Sequence, residues 1–148
     1  MPQQYVKAIS GSNSQMNLNR IRVSADADNR LRHLKARTGL TPNLLCRLGF
    51  CLSLQEPTVP NRNDYDSESP REFNRYTLTG QWDPLFIALL RQRCKKDGLR
   101  IPDDLIDQFM AHLNRGVLLL FQRVKHLGDV TRLVEEAAVS PSTPAQSE

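Results

Sequence analysis

Residues 19–42, NRIRVSADADNRLRHLKARTGLTP, contain the transitions that decide the fold. At the start, two apolar residues alternate with Arg20 and Arg22, which is the pattern of a short strand with one apolar and one cationic face. Ser24 then ends the alternation and is a favourable N-cap for the charged helical pattern that follows. The stretch therefore predicts a strand with arginine on its outer face that leads directly into a helix.

Two helices are predicted after this strand. The first covers residues 25–37, and Gly39 can adopt the positive φ that commonly ends a helix. Thr41 and Pro42 form a capping residue followed by proline at the first helical position, so a second helix is predicted from there to about residue 54. This second helix is apolar on nearly all sides, and we expect it to be buried in the subunit or at a subunit contact.

The C-terminal half predicts a helical hairpin. Its first helix is expected from Pro84 to about Lys96 and its second from Pro102 to about Leu127, because proline is favourable in a first turn. The second helix has apolar residues at alternating spacings of four and three, and others outside this seam. Gly116 indicates close approach of another helix. Because one partner cannot cover so wide an apolar surface, we expect packing both within the subunit and across a subunit boundary.

The chain has 148 residues, which suits one domain. We expect a flexible polar arm over residues 1–16, a single helical domain over residues 17–137 and a disordered tail over residues 138–148. Residues 55–71 combine prolines with acids and amides and are predicted to be an acidic linker. The expected fold class is mainly α: a short N-terminal strand and two helices resembling a ribbon-helix-helix unit, then a helical hairpin, in an oligomeric helical bundle.

Composition excludes some classes of protein. The three cysteines form no CxxC pair, and their odd number indicates reduced thiols. The N-terminus has no apolar core of signal-peptide length, and the longest apolar runs are too short to span a bilayer. We therefore expect a cytoplasmic protein with no membrane partner.

A strand followed by two helices is the plan of ribbon-helix-helix DNA-binding proteins, in which the strands of two chains pair and enter the major groove. A helix-turn-helix is the competing geometry, because residues 39–41 also form a tight turn. The charge distribution favours DNA contact, since residues 17–54 contain seven cations against two acids, whereas the whole chain has a net charge of only +4. Solvated cations on an ordinary surface are the alternative.

The predicted DNA-contacting residues form two groups. In the first group, the strand would face bases and the N-terminus of the second helix would bind phosphate through its backbone N–H groups. The second group lies in residues 91–100, RQRCKKDGLR, which fit either a phosphate-binding patch or a solvated helix end. The complete set is Arg20, Arg22, Arg30, Lys35, Arg37, Thr41, Asn43, Arg47, Arg91, Arg93, Lys95, Lys96 and Arg100.

Residues 103–107, DDLID, have the spacing of a magnesium-binding motif. Carboxylates are also favoured in the first turn of a helix, and no second acidic cluster completes a site, so no metal and no cofactor are predicted. The three histidines lack zinc-ligand spacing. No motif identifies a catalytic residue. A Mg²⁺-dependent DNA nicking endonuclease that uses Asp103, Asp104 and Asp107 is the enzymatic alternative.

Three stretches resemble the DndE family of bacterial DNA phosphorothioation proteins. They are RTGLTPNLLCRL at residues 37–48, EFNRYTL at residues 72–78 and WDPLFIALL at residues 82–90, and the similarity extends over about residues 17–125. The resemblance implies a largely helical, tetrameric protein that binds duplex DNA and prefers nicked duplex. Lysines hold the DNA in this family, whereas arginine fills much of that role here.

The same resemblance implies partner proteins. These are a cysteine desulfurase, a sulfurtransferase-like enzyme related to ATP pyrophosphatases and an ATPase, which together replace a non-bridging phosphate oxygen of DNA with sulfur. We therefore expect a DNA-binding component that positions the modification complex on the backbone. A nicking activity, also suggested for the family, and an adaptor without a DNA role are the alternatives.

Overall fold

The computed structural model describes residues 19–65 and 68–139. Its strands are β1 (Arg20–Ser24) and β2 (Glu68–Asn74). Its helices are α1 (Ala25–Thr38), α2 (Pro42–Gln55), α3 (Arg75–Thr79), α4 (Asp83–Lys96), α5 (Leu105–Arg123) and α6 (Leu127–Val139). The predicted mainly helical fold with a short N-terminal strand is confirmed. Every helix in the described ranges is too short or too polar to cross a bilayer.

The ends of α1 and α2 follow from local sequence. The Ser24 hydroxyl accepts the backbone N–H of Ala27 and thereby caps α1. Gly39 ends α1 with a φ of 74°, a left-handed conformation that favours glycine. Thr41 caps α2, and Pro42 occupies its first turn. The predicted boundaries of both helices are within one residue of the observed ones.

The partner of β1 corrects one expectation. The ribbon-helix-helix plan required β1 to pair with the same strand of a second chain, but β1 pairs antiparallel with β2 of its own chain. Ile21 lies opposite Phe73, and both side chains are buried. The sequence ESPREFN of β2 has no clear period of two, so its pattern gave no indication that it pairs with β1. Glu68, where β2 begins, lies inside the stretch predicted as a linker over residues 55–71.

Helix α5 is the centre of the fold and packs most extensively on α2. The two backbones meet at Gly49 and Gly116, where a Cβ atom on Gly49 would lie 2.7 Å from the carbonyl carbon of Gly116. Phe50 and Phe109 pack beside this contact, with ring centroids 5.2 Å apart. The close approach predicted at Gly116 is therefore confirmed, and the approaching helix belongs to the same chain.

The last helix of the predicted hairpin is shorter than expected. Helix α5 ends at Arg123, Val124 has an extended backbone, and α6 begins at Leu127. The backbone N–H groups of Lys125 and His126 donate to one carboxylate, that of Asp129, and so fix this turn. Helix α6 extends into the start of the predicted tail. The rest of that tail, residues 140–148, and the predicted arm lie outside the described residues.

Candidate nucleic-acid interface

A concentration of cations surrounds the ring of Phe121, near the C-terminal end of α5. The guanidinium carbons of Arg30 and Arg37, both on α1, lie 4.5 and 4.6 Å from the ring centroid. The ammonium group of Lys125 lies 5.2 Å from it. Arg30 and Arg37 are seven residues apart and therefore share one face of α1. We call Arg30, Arg37, Phe121 and Lys125 the Phe121 cation cluster.

The Phe121 ring explains why three cations can lie so close together. Cations are attracted to the negative face of a ring by roughly 0.5–1 kcal/mol each at exposed sites, which offsets part of their mutual repulsion. Asp26 is 3.3 Å from Arg30 and compensates one of the charges. The Nε atom of Arg30 makes this contact without reaching hydrogen-bond geometry, and Arg37 and Lys125 have no carboxylate partner among the described residues. The cluster therefore retains positive charge that carboxylates do not neutralise.

The two strand arginines differ in their surroundings. Both side chains are exposed on β1, as the alternating pattern predicted. Arg22 lies opposite Glu72 on β2, and its Nε atom is 4.0 Å from the carboxylate. Arg20 lies opposite Asn74, which has no charge. The charge of Arg22 is thus partly compensated across the sheet.

The remaining predicted contacts of the first unit lie around the turn between α1 and α2. Lys35 is exposed in the last turn of α1. The Thr41 hydroxyl accepts the N–H of Leu44 at 3.4 Å, so it caps α2 within the chain. Asn43 is half-buried in the first turn of α2. Lys35 is thus a further exposed cation, two residues before Arg37 of the Phe121 cation cluster. The Thr41 hydroxyl already serves as the cap of α2.

The second predicted group divides into exposed and buried residues. The exposed cations, which we call the α4 cation cluster, are Arg91, Lys95, Lys96 and Arg100. Arg93 is buried, and its guanidinium donates to the Asp97 carboxylate and to the carbonyl oxygens of Leu54 and Thr58 at 2.7–2.9 Å. All of these acceptors belong to the chain itself. Arg93 therefore joins α4 to the last turn of α2 and to the segment that follows it.

Arg47 has a similar internal position. Its Nε atom donates to the carbonyl of Leu78 at 2.6 Å, and its Nη2 atom donates to the carbonyl of Thr77 at 3.3 Å. A Cβ atom on Gly80 would lie 2.7 Å from the same guanidinium, so the glycine leaves room for it. These acceptors are about thirty residues away in sequence. We therefore leave Arg47 and Arg93 out of the DNA-binding surface proposed below.

The two cation clusters lie near opposite ends of α5. The backbone N–H of Arg100 donates to Asp104, immediately before the first residue of α5. Phe121 is in the last turn of the same helix. At a rise of 1.5 Å per residue, these two positions are about 25 Å apart along the helix. The cations are therefore arranged in two separate clusters.

Comparisons with known proteins identify relatives of this chain. A family model, that of the DNA sulphur modification protein DndE, matches residues 20–127. The chain belongs to the DndE family. The crystal structure of DndE from Escherichia coli B7A, described as involved in DNA phosphorothioation modification, is similar, with 25% sequence identity and a TM-score of 0.56. This match covers 69% of the present chain and 95% of that chain. A search of curated proteins finds no match.

This DndE-family chain also has a polar network that is buried at Ser53, His112 and Arg93 and reaches the surface at Thr58. We call it the inner arginine network: Arg93, Arg115, Ser53, Thr58 and His112. Arg115 donates to the carbonyl and hydroxyl oxygens of Ser53, each at 2.8 Å, and to both oxygens of Thr58. The Ser53 hydroxyl is 2.8 Å from Nδ1 of His112. Sequence patterns gave no indication of it, because its members are distant along the chain.

The pair formed by Ser53 and His112 resembles a nucleophile with its base. Both side chains are fully buried, however, so substrate cannot reach them. Burial, and secondarily the charges of Arg115 and Arg93, lower the pKa of His112 to about 4. The ring is therefore neutral at physiological pH. The position of this pair supports a structural role.

The three aspartates of the predicted magnesium motif have different surroundings. Asp107 pairs with Arg62, whose Nη1 atom lies 2.6 Å from the carboxylate. Asp104 accepts the N–H of Arg100, and Asp103 is exposed. Within residues 19–65 and 68–139, no three His, Cys, Asp or Glu side chains are grouped to hold a metal ion.

Proposed function

We propose that this chain is the DNA-binding component of a DNA phosphorothioation system. It docks on duplex DNA, including nicked duplex, and positions the modifying enzymes on the backbone. Membership of the DndE family and the description of the Escherichia coli relative support the biological setting. The observation that carries the proposal is the Phe121 cation cluster, in which three cations contact one ring and, within the part of the chain that the structure describes, only one of them has a carboxylate partner.

The chemistry of this cluster suits phosphate. A guanidinium group can donate two parallel hydrogen bonds to a phosphate, and every phosphate that is neutralised releases condensed counterions. Contact with the Phe121 ring restricts the long side chains before DNA arrives, which reduces the conformational entropy lost on binding. The cluster thus combines positive charge with preorganisation.

The α4 cation cluster is proposed as a second contact. The two ends of α5, about 25 Å apart, span about seven base pairs, because the rise of duplex DNA is about 3.4 Å per base pair. One duplex is long enough to reach both clusters. The exposed positions of Lys95 and Lys96 support their use in this contact.

We further propose that the chain acts as a homo-oligomer, as a tetramer, and that it associates with the sulfurtransferase-like enzyme and the ATPase of the system. Apolar surface supports self-association: Leu127 and Val134 on α6 are about half exposed. Beside them a groove of about 510 Å³ is lined by apolar residues that include Leu48, Leu52 and Leu133. Oligomerisation would multiply the cation clusters available to one duplex.

The test is binding of fluorescently labelled intact and nicked duplexes, measured by anisotropy. The variant Arg37→Ala/Lys125→Ala removes two charges from the Phe121 cation cluster. The expected loss of affinity is about 10- to 100-fold, because a hydrogen bond to a charged group contributes about 1.5–3 kcal/mol. Lys95→Ala/Lys96→Ala should cause a smaller loss.

The matched control is Arg123→Ala/Arg132→Ala, which removes two exposed cations elsewhere. Arg123 pairs with Glu136, and Arg132 lies 3.9 Å from Asp129. This control should bind nearly as tightly as the unmodified protein. If it loses as much affinity as the Phe121 variant, net charge rather than the cluster holds the DNA. If the unmodified protein shows no salt-dependent duplex binding, the adaptor role is correct instead.

A further inference from the structure

A corner of the fold exposes several large apolar side chains. It comprises residues 75–85, which form α3, a turn of 3-10 helix and the start of α4. Tyr76 is 53% exposed, Trp82 50% and Leu85 51%. We call these eleven residues the aromatic corner. So much exposed aromatic surface in a short segment is typical of a contact site, since Trp and Tyr are enriched at binding hot spots.

Hydrogen bonds hold the aromatic corner in one arrangement. Arg75 donates two bonds of 2.9 Å to the carboxylate of Asp83, which is buried. The hydroxyl of Thr79 donates to the same carboxylate at 2.8 Å. Asn74 caps α3 by accepting the N–H of Tyr76 at 2.9 Å. The exposed rings therefore stand on a rigid frame, which lowers the entropy cost of binding.

The charges around the aromatic corner are cationic. Arg75 lies over the ring of Tyr76, 4.6 Å from its centroid, and Arg47 donates to the carbonyls at the end of α3. Arg20 is exposed on the strand position opposite Asn74, directly before the corner. The only acid within the corner is Asp83, which is buried against Arg75. An approaching partner therefore meets exposed rings with the exposed guanidinium group of Arg20 beside them, while Arg75 and Arg47 are bonded within the chain.

Exposed rings beside a positive charge indicate which kind of molecule would bind the aromatic corner. A second copy of the chain would bring two cationic borders together, and like charges disfavour such a contact. An unpaired nucleic-acid strand offers the complementary features, because its phosphates are anionic and its bases have flat faces that stack on aromatic side chains. Paired bases inside a duplex are already stacked and are not available for this contact.

We propose that the aromatic corner binds unpaired DNA bases, with Tyr76 and Trp82 as stacking platforms and the exposed Arg20 on the backbone. This inference rests on the proposed function only in taking DNA as the ligand. The aromatic corner is a different surface from the Phe121 cation cluster, and it would contact unpaired bases rather than the duplex backbone. Each surface can therefore fail without the other.

The experiment uses Trp82 as its own probe, because it is the only tryptophan in the chain. The full-length protein is titrated with a single-stranded thymidine oligonucleotide, an abasic oligomer of the same length and a blunt duplex. Stacking of a base on the indole should quench its fluorescence with the single strand. The abasic oligomer and the blunt duplex should leave most of the emission unchanged.

Variants test the assignment by anisotropy with a labelled single strand. Trp82→Ala and Tyr76→Ala should each weaken binding about tenfold or more, the size expected for one stacked base. Trp82→Phe should restore part of the affinity, because it retains an aromatic face. Leu85→Ala is the matched control, equally exposed but unable to stack, and should bind as the unmodified protein does. Melting temperatures within a few degrees of the original would show that the variants fold.

Several outcomes overturn the proposal. Single-strand binding without quenching, or equal quenching by the abasic oligomer, excludes stacking at Trp82. Absence of single-strand binding excludes the site altogether. Equal losses for Leu85→Ala and Trp82→Ala mean that apolar area rather than stacking matters, and the corner is then a protein-docking surface. If blunt duplex does not bind while the single strand still quenches, the proposed duplex function fails and this inference stands.

Discussion

The inner arginine network and the Phe121 cation cluster both contain arginines, but these arginines have different partners. In the network they bond to oxygens of the chain, whereas in the cluster they contact an aromatic ring. Arg115 and Phe121 are less than two turns apart on α5. Around Arg115 every hydrogen-bond acceptor is a carbonyl or hydroxyl oxygen of the chain itself. Around Phe121 the neighbouring cations face an aromatic ring, although Lys125 also donates one hydrogen bond to the carbonyl oxygen of Phe121 at 3.3 Å. The partner of a cation thus decides whether its hydrogen-bonding capacity remains available to DNA.

This difference changes how the charge of the chain should be counted. The sequence has 20 lysines and arginines. Arg47, Arg75, Arg93 and Arg115 are bonded to internal oxygens, so they contribute to the fold. A guanidinium that bridges helices can donate few further bonds to a phosphate. The excess of cations over acids therefore overstates the charge available for DNA binding.

The largest effect is expected where α2 and α5 meet, because this contact holds the inner arginine network together. Gly116→Ala would drive a methyl group into the backbone of Gly49 and Phe50. We expect a loss of at least about 3 kcal/mol in the free energy of unfolding, or no folded protein. In Gly128→Ala the new Cβ meets only the exposed His126 side chain, so this control should fold normally. Chemical denaturation of both variants checks the prediction, and similar stability of the two would disprove close packing at Gly116.

The comparison between internal and exposed cations can be tested by replacing one arginine of each kind in separate variants. Arg93→Ala leaves the nearly buried carboxylate of Asp97 and two carbonyl oxygens without their donor. The expected cost is about 3 kcal/mol of unfolding free energy. Arg91→Ala removes an equal charge from the surface and should cost less than about 0.5 kcal/mol. Urea denaturation distinguishes them, and equal small losses would mean that Arg93 has no structural role.

A smaller effect is expected from pH. The pKa of His112 in the folded protein is about 4, below its ordinary value of 6.5, so between these values the unfolded chain binds more protons. The free energy of unfolding should therefore fall as pH is lowered from 6.5 to 4. We expect a contribution on the order of 2 kcal/mol.

His112→Gln should remove this part of the pH dependence, measured by urea denaturation across the same range. His33→Gln, which removes an exposed imidazole, is the control and should keep the original pH profile. A profile that is identical in His112→Gln and in the unmodified protein would contradict the buried neutral state of His112.

Much of the helical fold was predictable because its signals are local. Ser24, Gly39 and Thr41 act within four residues of their own positions, so caps and helix ends follow directly from sequence. The strand partner of β1 was not predictable in this way. Strand pairing depends on residues about fifty positions away, and the first four residues of β2 lie in the stretch predicted as a linker.

The candidate site was predictable only in part for the same reason. Sequence identified Arg30 and Arg37 as cations on one helix, but not the ring of Phe121 that gathers them with Lys125. That ring is more than eighty positions further along the chain. Likewise, the bonds that keep Arg93 inside the fold reach the last turn of α2 and the segment after it. The residue type shows that a side chain is charged, whereas its tertiary contacts determine whether that charge stabilises the fold or remains available to DNA.

The most direct test of the central claim is the salt dependence of duplex binding in Arg37→Ala/Lys125→Ala. Each neutralised phosphate contributes about 0.9 to the slope of log affinity against log salt concentration. If these two side chains hold phosphates, the magnitude of the slope should fall by about 2 relative to the unmodified protein. An unchanged slope would contradict the account, because it would show that neither cation of the Phe121 cation cluster contacts the DNA backbone.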